Sequence, residues 1–546
     1  MTICLGENMT QPSWWRGAVI YEIYPRSFND SNGDGIGDLQ GIIERLDYVA
    51  SLGVDAIWIA PFFKSPMADF GYDVSDYRQV DPMFGSMDDF DRLLASSHAL
   101  GIKVIIDQVL SHTSNEHTWF KESRSSRDNP KADWYVWADP RDDGTPPNNW
   151  LSIFGGVAWH WEPRRRQYYL HNFLSSQPDL NFHNAEVRRA VLDNLRFWLD
   201  KGVDGLRLDA INFCFHDTQL RNNPPKPPQM RISRAFSPEN PYAYQFHHFD
   251  NTQPENLAFL KQLRTLLDEY PNTVALGEVS SEDPLASMAE YTSDNRLHMA
   301  YSFELLSDDS SAEHLRTTVQ TLESHMSEGW PCWALSNHDV RRVVTRWGGE
   351  NPSPVLANQL LALLCSLRGS VCLYQGEELG LPEASLPFQA LRDPYGIAFY
   401  PNFKGRDGCR TPMPWDDRVH AGFTTGEPWL PVADQHRSLN VARQHRDAYS
   451  TLNRFRAFLR WRKEQPVLLR GDIRIVPTRE PVFAFERRMD AHCMFLAFNL
   501  SGETVELELP ALGDYRQIEG IGLLSGELMG ASLRIPAHGV VFARPC

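Results

Sequence analysis

The sequence predicts an α/β fold: a (β/α)₈ TIM barrel with a small domain inserted after its third strand and an antiparallel β domain at its C-terminal end. Three observations predict it. From residue 19 to about residue 464, short apolar runs alternate with amphipathic segments of helical period, the pattern of a parallel sheet with crossover helices. Eight such runs can be found, and eight strand–helix partners favour closure into a barrel over an open, doubly wound sheet. Beyond about residue 467 the helical period stops and short β runs follow one another closely, as in a β-sandwich.

The elements follow in order. Residues 19–24 form the first predicted strand, with a helix over 39–52; 56–60 is the second, with a helix over 87–100; 104–109 is the third. There the rhythm stops, and residues 113–177 are polar and rich in Trp, Pro and Asp. A structureless loop of that length is improbable in a compact domain, so the segment is predicted to be an inserted domain roofing the barrel mouth. Alternation resumes with a helix over 185–199, strands over 205–211 and 273–279 flanking a helix over 254–270, and strands over 297–303 and 332–337. Helical patterns over 312–326 and 354–367 follow those two strands, 371–374 is the eighth strand, and 452–464 is the last helix. Residues 375–449 read as a second long loop on the same face. The predicted units are therefore 1–112 with 178–465 as the barrel, 113–177 as the insertion, and 466–546 as the β domain, with strands near 473–476, 482–486, 494–499, 504–509 and 539–543.

A chain of 546 residues exceeds one compact core, in keeping with three units. Its formal net charge of −17 argues against nucleic-acid binding and against docking on anionic lipid. The eight cysteines, Cys4, Cys214, Cys332, Cys365, Cys372, Cys409, Cys493 and Cys546, show no Cys-x-x-Cys and no close cluster. They read as reduced thiols, and with no signal-peptide pattern over residues 1–15 the expected location is cytoplasmic. No apolar run approaches the roughly 20 residues of a membrane span. The expected oligomeric state is monomer or homodimer.

Two carboxylates stand at strand ends: Asp209 in Gly205-Leu206-Arg207-Leu208-Asp209-Ala210, and Glu278 in Ala275-Leu276-Gly277-Glu278-Val279. Asn337-His338-Asp339 ends a third apolar run. Side chains at the C-terminal ends of barrel strands converge over one mouth, so these three acids are candidates for one site of acid/base and nucleophilic chemistry. Arg207 lies two residues before Asp209, and period-two alternation puts both on the interior face, where a guanidinium would keep Asp209 ionised.

With Asp107-Gln108-Val109-Leu110-Ser111-His112 and Gln177-Pro178-Asp179-Leu180-Asn181 these motifs stand in a fixed order, and in that order the chain resembles the α-amylase-type glycoside hydrolases (glycoside hydrolase family 13) over essentially its full length. Residues 177–181 point towards the oligo-α-glucosidase branch, which acts on short sugars. The resemblance implies a retaining double displacement with Asp209 as nucleophile, Glu278 as general acid and then base, and Asp339 as the third carboxylate, binding sugar hydroxyls. A retaining enzyme needs two carboxyls about 5–5.5 Å apart. His112 and His338 are implied hydrogen-bond donors to the sugar, and Phe173 and Gln177 are implied pocket residues. Tyr72 would stack on the sugar, while Asp69 and Arg406 would pair to close the pocket's far end, so that one glucose fits and cleavage is exo-acting.

The stretch Asp30-Ser31-Asn32-Gly33-Asp34-Gly35-Ile36-Gly37-Asp38 spaces oxygens at alternate positions, as a hard-cation loop does. Its twelfth position is Gly41, where an EF-hand requires Glu. Related glucosidases bind one structural Ca²⁺ or Mg²⁺ at the matching loop, through Asp30, Asn32, Asp34, the Ile36 carbonyl and Asp38. The second calcium site of many α-amylases is not expected, because Ser111 stands where they carry Asn. In the oligo-glucosidase branch a Val directly after the nucleophile accompanies α-1,6 specificity and a small residue α-1,4 cleavage, so Ala210 implies maltose-like or sucrose-like substrates. Expected partners are short oligosaccharides or α-glucosides, with alcohol or sugar acceptors for transglucosylation. Relatives active on α-1,6 bonds, sucrose or trehalose are the alternative within enzymes. Non-catalytic transporter heavy chains share the barrel but have lost the catalytic carboxylates that this chain keeps.

Overall fold

A computed structural model describes residues 13–231 and 240–546; Cys4 lies outside them. Eight parallel strands make one sheet: β1 (Val19–Ile23), β2 (Ala56–Ile59), β3 (Lys103–Val109), β4 (Gly205–Asp209), β5 (Val274–Val279), β6 (Met299–Ser302), β7 (Cys332–Ala334) and β8 (Ser370–Tyr374). Pairing runs β6-β5-β4-β3-β2-β1-β8-β7, and a parallel bridge between Ala300 and Pro331 joins β6 to β7. The predicted barrel is therefore what the chain builds.

The interior rows change character as they rise. Ile20, Ala56, Trp58, Ile105, Leu276 and Met299 form one apolar cluster inside the barrel. Two residues further along the same face come Glu22, Asp107 and Glu278, each at most 5% exposed. Period-two alternation thus carries each strand from an apolar plug to a charged upper layer. The odd-numbered neighbours on β1, Val19, Tyr21 and Ile23, face outward into the larger core with the helices.

The helix read over 39–52 is two helices, Leu39–Glu44 and Leu46–Leu52, because Arg45 leaves helical geometry at φ −110°, ψ 5°. Asp38 caps the first by accepting from Gly41 N. A Cβ on Gly41 would lie 1.8 Å from the Asn29 carbonyl oxygen, which explains the glycine where a cation loop of EF-hand type has Glu. A short helix missing from the sequence reading, Pro284–Tyr291, packs between β5 and β6.

The inserted segment holds a three-stranded antiparallel sheet of Trp137–Ala138, Gln167–Leu170 and Trp159–Glu162. A bridge between His112 and Asp179 ties its two ends together. At the C-terminal end, a five-stranded and a three-stranded antiparallel sheet pack face to face. Three strands there, Tyr515–Gln517, Glu527–Met529 and Ser532–Ile535, are too short to show in the apolar pattern. Alternation again divides the faces: Val482, Ala484 and Phe495 fill the sandwich, while Phe483, Phe485 and Phe542 join the core that includes the barrel's helices.

Candidate active site

Arg207 is the centre of the charged layer. It is fully buried, and its Nη1 donates to Asp107 Oδ1 at 2.9 Å, Asp107 Oδ2 at 3.0 Å and Asp209 Oδ1 at 2.7 Å. Its Nη2 donates to Tyr301 Oη at 2.8 Å and lies 2.8 Å from Glu278 Oε2. The guanidinium carbon sits 4.7 Å from the centre of the Trp58 ring, which fixes its plane from below. One planar cation therefore holds three carboxylates from β3, β4 and β5 in register, a task suited to the rigid fork of arginine.

Glu278 Oε1 accepts from the Tyr301 hydroxyl at 3.1 Å, and Oε2 accepts from Ala210 N at 3.1 Å. Burial pushes the carboxyls of Asp209 and Glu278 up to about 7, against the pull of Arg207. Near neutral pH the pair carries about one proton between its two members. Asp339 is the opposite case. Burial would raise it, but the guanidiniums of Arg406 and Arg410 overcome that and hold the carboxyl well below the usual carboxylate range; Arg410 Nη2 donates to its Oδ1 at 2.8 Å and Arg406 Nη1 at 3.2 Å. The mouth thus has one fixed anion, Asp339, beside two carboxyls that burial brings into the neutral range, the range in which a carboxyl can work as acid and as base at neutral pH.

These groups line one pocket. Its walls are Asp69, Tyr72, His112, Gln177, Asp209, Glu278, Ser280, Asp339, Tyr395 and Arg406 among the polar groups, and Ile153, Phe154, Phe173, Ala210, Phe213 and Phe303 among the apolar ones. Every site residue named from sequence for the sugar is in this wall except Arg207 and His338, which lie behind it, fully buried. His338 was expected to donate to the sugar itself. Its Nε2 instead lies 2.5 Å from the Tyr72 hydroxyl and 3.3 Å from Asp339 Oδ2, and its ring lies near-parallel to those of Tyr24 and Tyr72, with centroids 5.7 and 5.3 Å away. The Tyr72 hydroxyl donates to Asp107 Oδ2 at 3.1 Å.

The far end of the pocket is shut by charge. Arg406 Nη2 donates to Asp69 Oδ1 at 2.8 Å, and Asp393 grips the same guanidinium through Nε at 3.0 Å and Nη2 at 2.9 Å. Gln177 Nε2 donates to Asp69 Oδ2 at 3.1 Å. His112 Nε2 is occupied by the Tyr72 carbonyl at 3.1 Å, and burial pushes its ring down to about 4, so it stays neutral. Phe173 packs on the His112 ring at 4.9 Å and on Phe213 at 5.5 Å.

The loop 30–38 is wired from within. Asp30 accepts from Asn32 N, Gly33 N and Gly35 N at 2.7–3.0 Å, Asn32 Oδ1 from Asp34 N at 2.9 Å, Asp34 from Ile36 N at 2.9 Å, and Asp38 from Ser31 N at 3.0 Å. Alternate carboxylate, amide and carbonyl oxygens have the donor chemistry of a hard-cation loop. Among the described residues, however, no three His, Cys, Asp or Glu side chains are grouped as metal ligands would be.

A parallel eight-stranded barrel whose strand ends bring three acids and a buried arginine to one pocket is built for acid/base and nucleophilic carboxylate chemistry, and the family match makes it a glycoside hydrolase. Residues 22–471 match the family model described as the α-amylase catalytic domain, and the chain belongs to that family. It is 54% identical over 535 residues to a probable alpha-glucosidase of Rhizobium meliloti, covering 97% of each chain. It is 37% identical over 540 residues to an oligo-1,6-glucosidase of Heyndrickxia coagulans, covering 91% of this chain and 94% of that one. Among solved structures, that of an alpha-glucosyl transfer enzyme superposes with a TM-score of 0.97 at 67% identity over 98% of this chain and 100% of the other. The trehalulose synthase of Pseudomonas mesoacidophila superposes at 0.89 with 33% identity, over 98% of this chain and 100% of that one. The chain is a glycosidase of the α-glucosidase type, and the retaining mechanism is general to this family.

Sequence reasoning missed Glu22, Tyr301, Asp393 and Arg410 as site residues. Asp107 was visible only as the head of a motif. The signal that could have found Glu22 is its place two residues past Ile20 on an interior face, where a buried charge needs a partner.

Proposed function

We propose that the chain is an exo-acting α-glucosidase that releases glucose from the non-reducing end of short α-1,4-linked glucosides such as maltose. Asp209 attacks the anomeric carbon while Glu278 protonates the leaving oxygen; a covalent glucosyl-enzyme forms, and Glu278 then takes a proton from the water or alcohol that resolves it. Arg207 holds Asp209 and Glu278 in register without touching the sugar, and Asp339 remains ionised to bind its hydroxyls. An alcohol or a second sugar in place of water gives glucosyl transfer.

The observation that carries the exo reading is the Asp69–Arg406–Asp393 clamp across the end of the pocket. Digestion of reduced-end-labelled maltotetraose tests it. Labelled products that shorten by one glucose at a time are expected, and release of labelled maltose as the first product contradicts it. The identity to an oligo-1,6-glucosidase supports a second reading, α-1,6 specificity. Against it stands Ala210 in the wall beside Asp209, and relative rates on maltose, isomaltose, sucrose and trehalose separate the readings.

The same proposal keeps loop 30–38 as the seat of one structural Ca²⁺ or Mg²⁺, supported by its alternate oxygens alone. Chelation is then expected to lower Tm by a few degrees with kcat unchanged, and an unchanged Tm removes the cation. A reducing cytoplasmic setting is supported by the free thiols of Cys214, Cys332, Cys365, Cys372, Cys409, Cys493 and Cys546. Among the described residues no helix is long and apolar enough to cross a membrane.

A further inference from the structure

Glu22 has no part in the chemistry proposed above, yet it is a fully buried carboxyl in the barrel's charged layer. Its Oε1 lies 2.5 Å from His338 Nδ1, and its Oε2 has no hydrogen-bond partner. His338 is fully buried, packed among Tyr24, Tyr72 and Trp58 at 5.3–6.0 Å, and has a partner at each nitrogen, so its ring orientation is set. What remains open is which of its nitrogens carries the proton.

The neighbours on the other side decide it. Nε2 lies 2.5 Å from Tyr72 Oη and 3.3 Å from Oδ2 of Asp339. A lone pair on Nε2 would oppose the Asp339 carboxylate, and would draw the single Tyr72 proton away from Asp107 Oδ2. An N–H there satisfies Asp339 and Tyr72 together and leaves Tyr72 free to donate to Asp107. Nδ1 must then be either a second N–H or an acceptor. Glu22 Oε2 is buried without a partner, a place where a neutral carboxylic acid is tolerated and an anion is not, so the proton on that side belongs to Glu22 and Nδ1 is the acceptor; burial, opposed by Asp339 and aided by Arg410, Arg207 and Arg406, likewise favours the neutral ring.

We propose that Glu22 is a protonated carboxylic acid that donates to His338 Nδ1 and thereby fixes His338 as the Nε2–H tautomer. It is a positioning residue: through His338 it aims Tyr72 and Asp339 at the sugar. The hydrogen bonds then run in one direction, from Glu22 to His338, to Tyr72, to Asp107. Burial, with Cys372, Asp339 and Asp107 adding to it and Arg207 opposing, holds the Glu22 carboxyl well above the usual range, in the neutral form this arrangement needs. The assignment of the proton stands on geometry; its effect on turnover rests on the reading of Tyr72 and Asp339 as sugar contacts.

Neutron diffraction on deuterium-exchanged crystals of the wild-type enzyme tests the proton directly. Deuterium is expected on Glu22 Oε1 and on His338 Nε2; deuterium on Nδ1 with a bare Glu22 carboxylate overturns the proposal. Kinetics test the consequence. Glu22→Gln, whose amide N–H can donate to Nδ1, is expected to keep kcat/KM on maltose within about threefold, while Glu22→Leu, of similar bulk and without a donor, is expected to lose 10–100-fold, the range typical of removing a group that orients another. Equal losses in both variants, or none in Glu22→Leu, overturn the positioning role. The expected deuterium positions together with a kinetically silent Glu22→Leu would mark the failure of the sugar-contact reading and not of the tautomer.

Discussion

The two ends of the pocket are built from opposite materials. At the closed end, Arg406 donates to Asp69 and Asp393 and Gln177 holds the other oxygen of Asp69, and the wall is fixed by charge. Beside Ala210 the pocket meets Ile153, Phe213 and Phe303, groups that offer shape but few directed bonds. A directed polar cage accepts one sugar in one orientation, because each missing hydroxyl would leave a buried polar group unpaired. An apolar wall discriminates by a few methylenes at most. Demand for glucose is therefore written into one end, and tolerance of the leaving group into the other.

Between the ends sits the carboxylate pair, and the largest expected effect is there. Glu278→Gln removes the proton given to the leaving oxygen, so turnover of maltose is expected to fall by about 10³-fold or more. An aryl α-glucoside whose leaving group needs no proton loses far less in the bond-breaking step. Equal losses on both substrates would place Glu278 with the sugar-binding end and break the comparison. The pH profile sharpens the same point. Below about 7 the pair gains a second proton and Asp209 ceases to be a nucleophile; above about 7 Glu278 gives up the proton it must donate. A bell with its maximum near neutrality is expected for kcat/KM, and its alkaline limb should be missing in Glu278→Gln.

Next in size is Arg406→Ala. It leaves Asp69 and Asp393 buried without their cation, the costly way to break such a cluster. A loss of about 10²–10³-fold in kcat/KM is expected, shared by maltose and aryl glucosides because the glucose end serves both. A loss confined to maltose would mean that the clamp acts on the aglycone.

The smallest effect belongs to the apolar end. Ala210 adopts φ +40°, ψ +46°, a left-handed conformation in which a β-branched residue is strained. Ala210→Val is expected to shift the maltose-to-isomaltose preference by about tenfold towards isomaltose, with some loss of stability, while inhibition by free glucose stays as it was. If glucose inhibition moves with it, the two ends are not independent.

Legibility in the sequence follows the same division. Asp209, Glu278 and Asp339 were visible because each closes an apolar strand, and strand ends are where a barrel displays its chemistry. Asp69 and Arg406 became legible only through the ordered motifs, since 337 residues separate them and nothing local announces a pair. Asp393 and Arg410 stayed hidden for a related reason: they sit in the long loop 375–449, where no period marks which side chain turns inward. Tyr301 and Glu22 lie on short strands that read as ordinary core. The break in the helix 39–52 was missed because its apolar pattern runs through Arg45, whose side chain is drawn off to Asn29 at 3.0 Å and over the Trp415 ring. The β domain lost three strands of three or four residues, too short for alternation to show.

The central claim is that Asp209 forms a covalent bond to glucose inside a pocket that Glu278 serves from the aglycone side. The most direct measurement is to incubate the enzyme with a 5-fluoro-α-glucosyl fluoride, which slows release of the intermediate, and to map the labelled peptide by mass spectrometry. One fluoroglucosyl group on Asp209 is the predicted result. A label on Glu278 or Asp339, or a turning-over enzyme that never carries one, would contradict it.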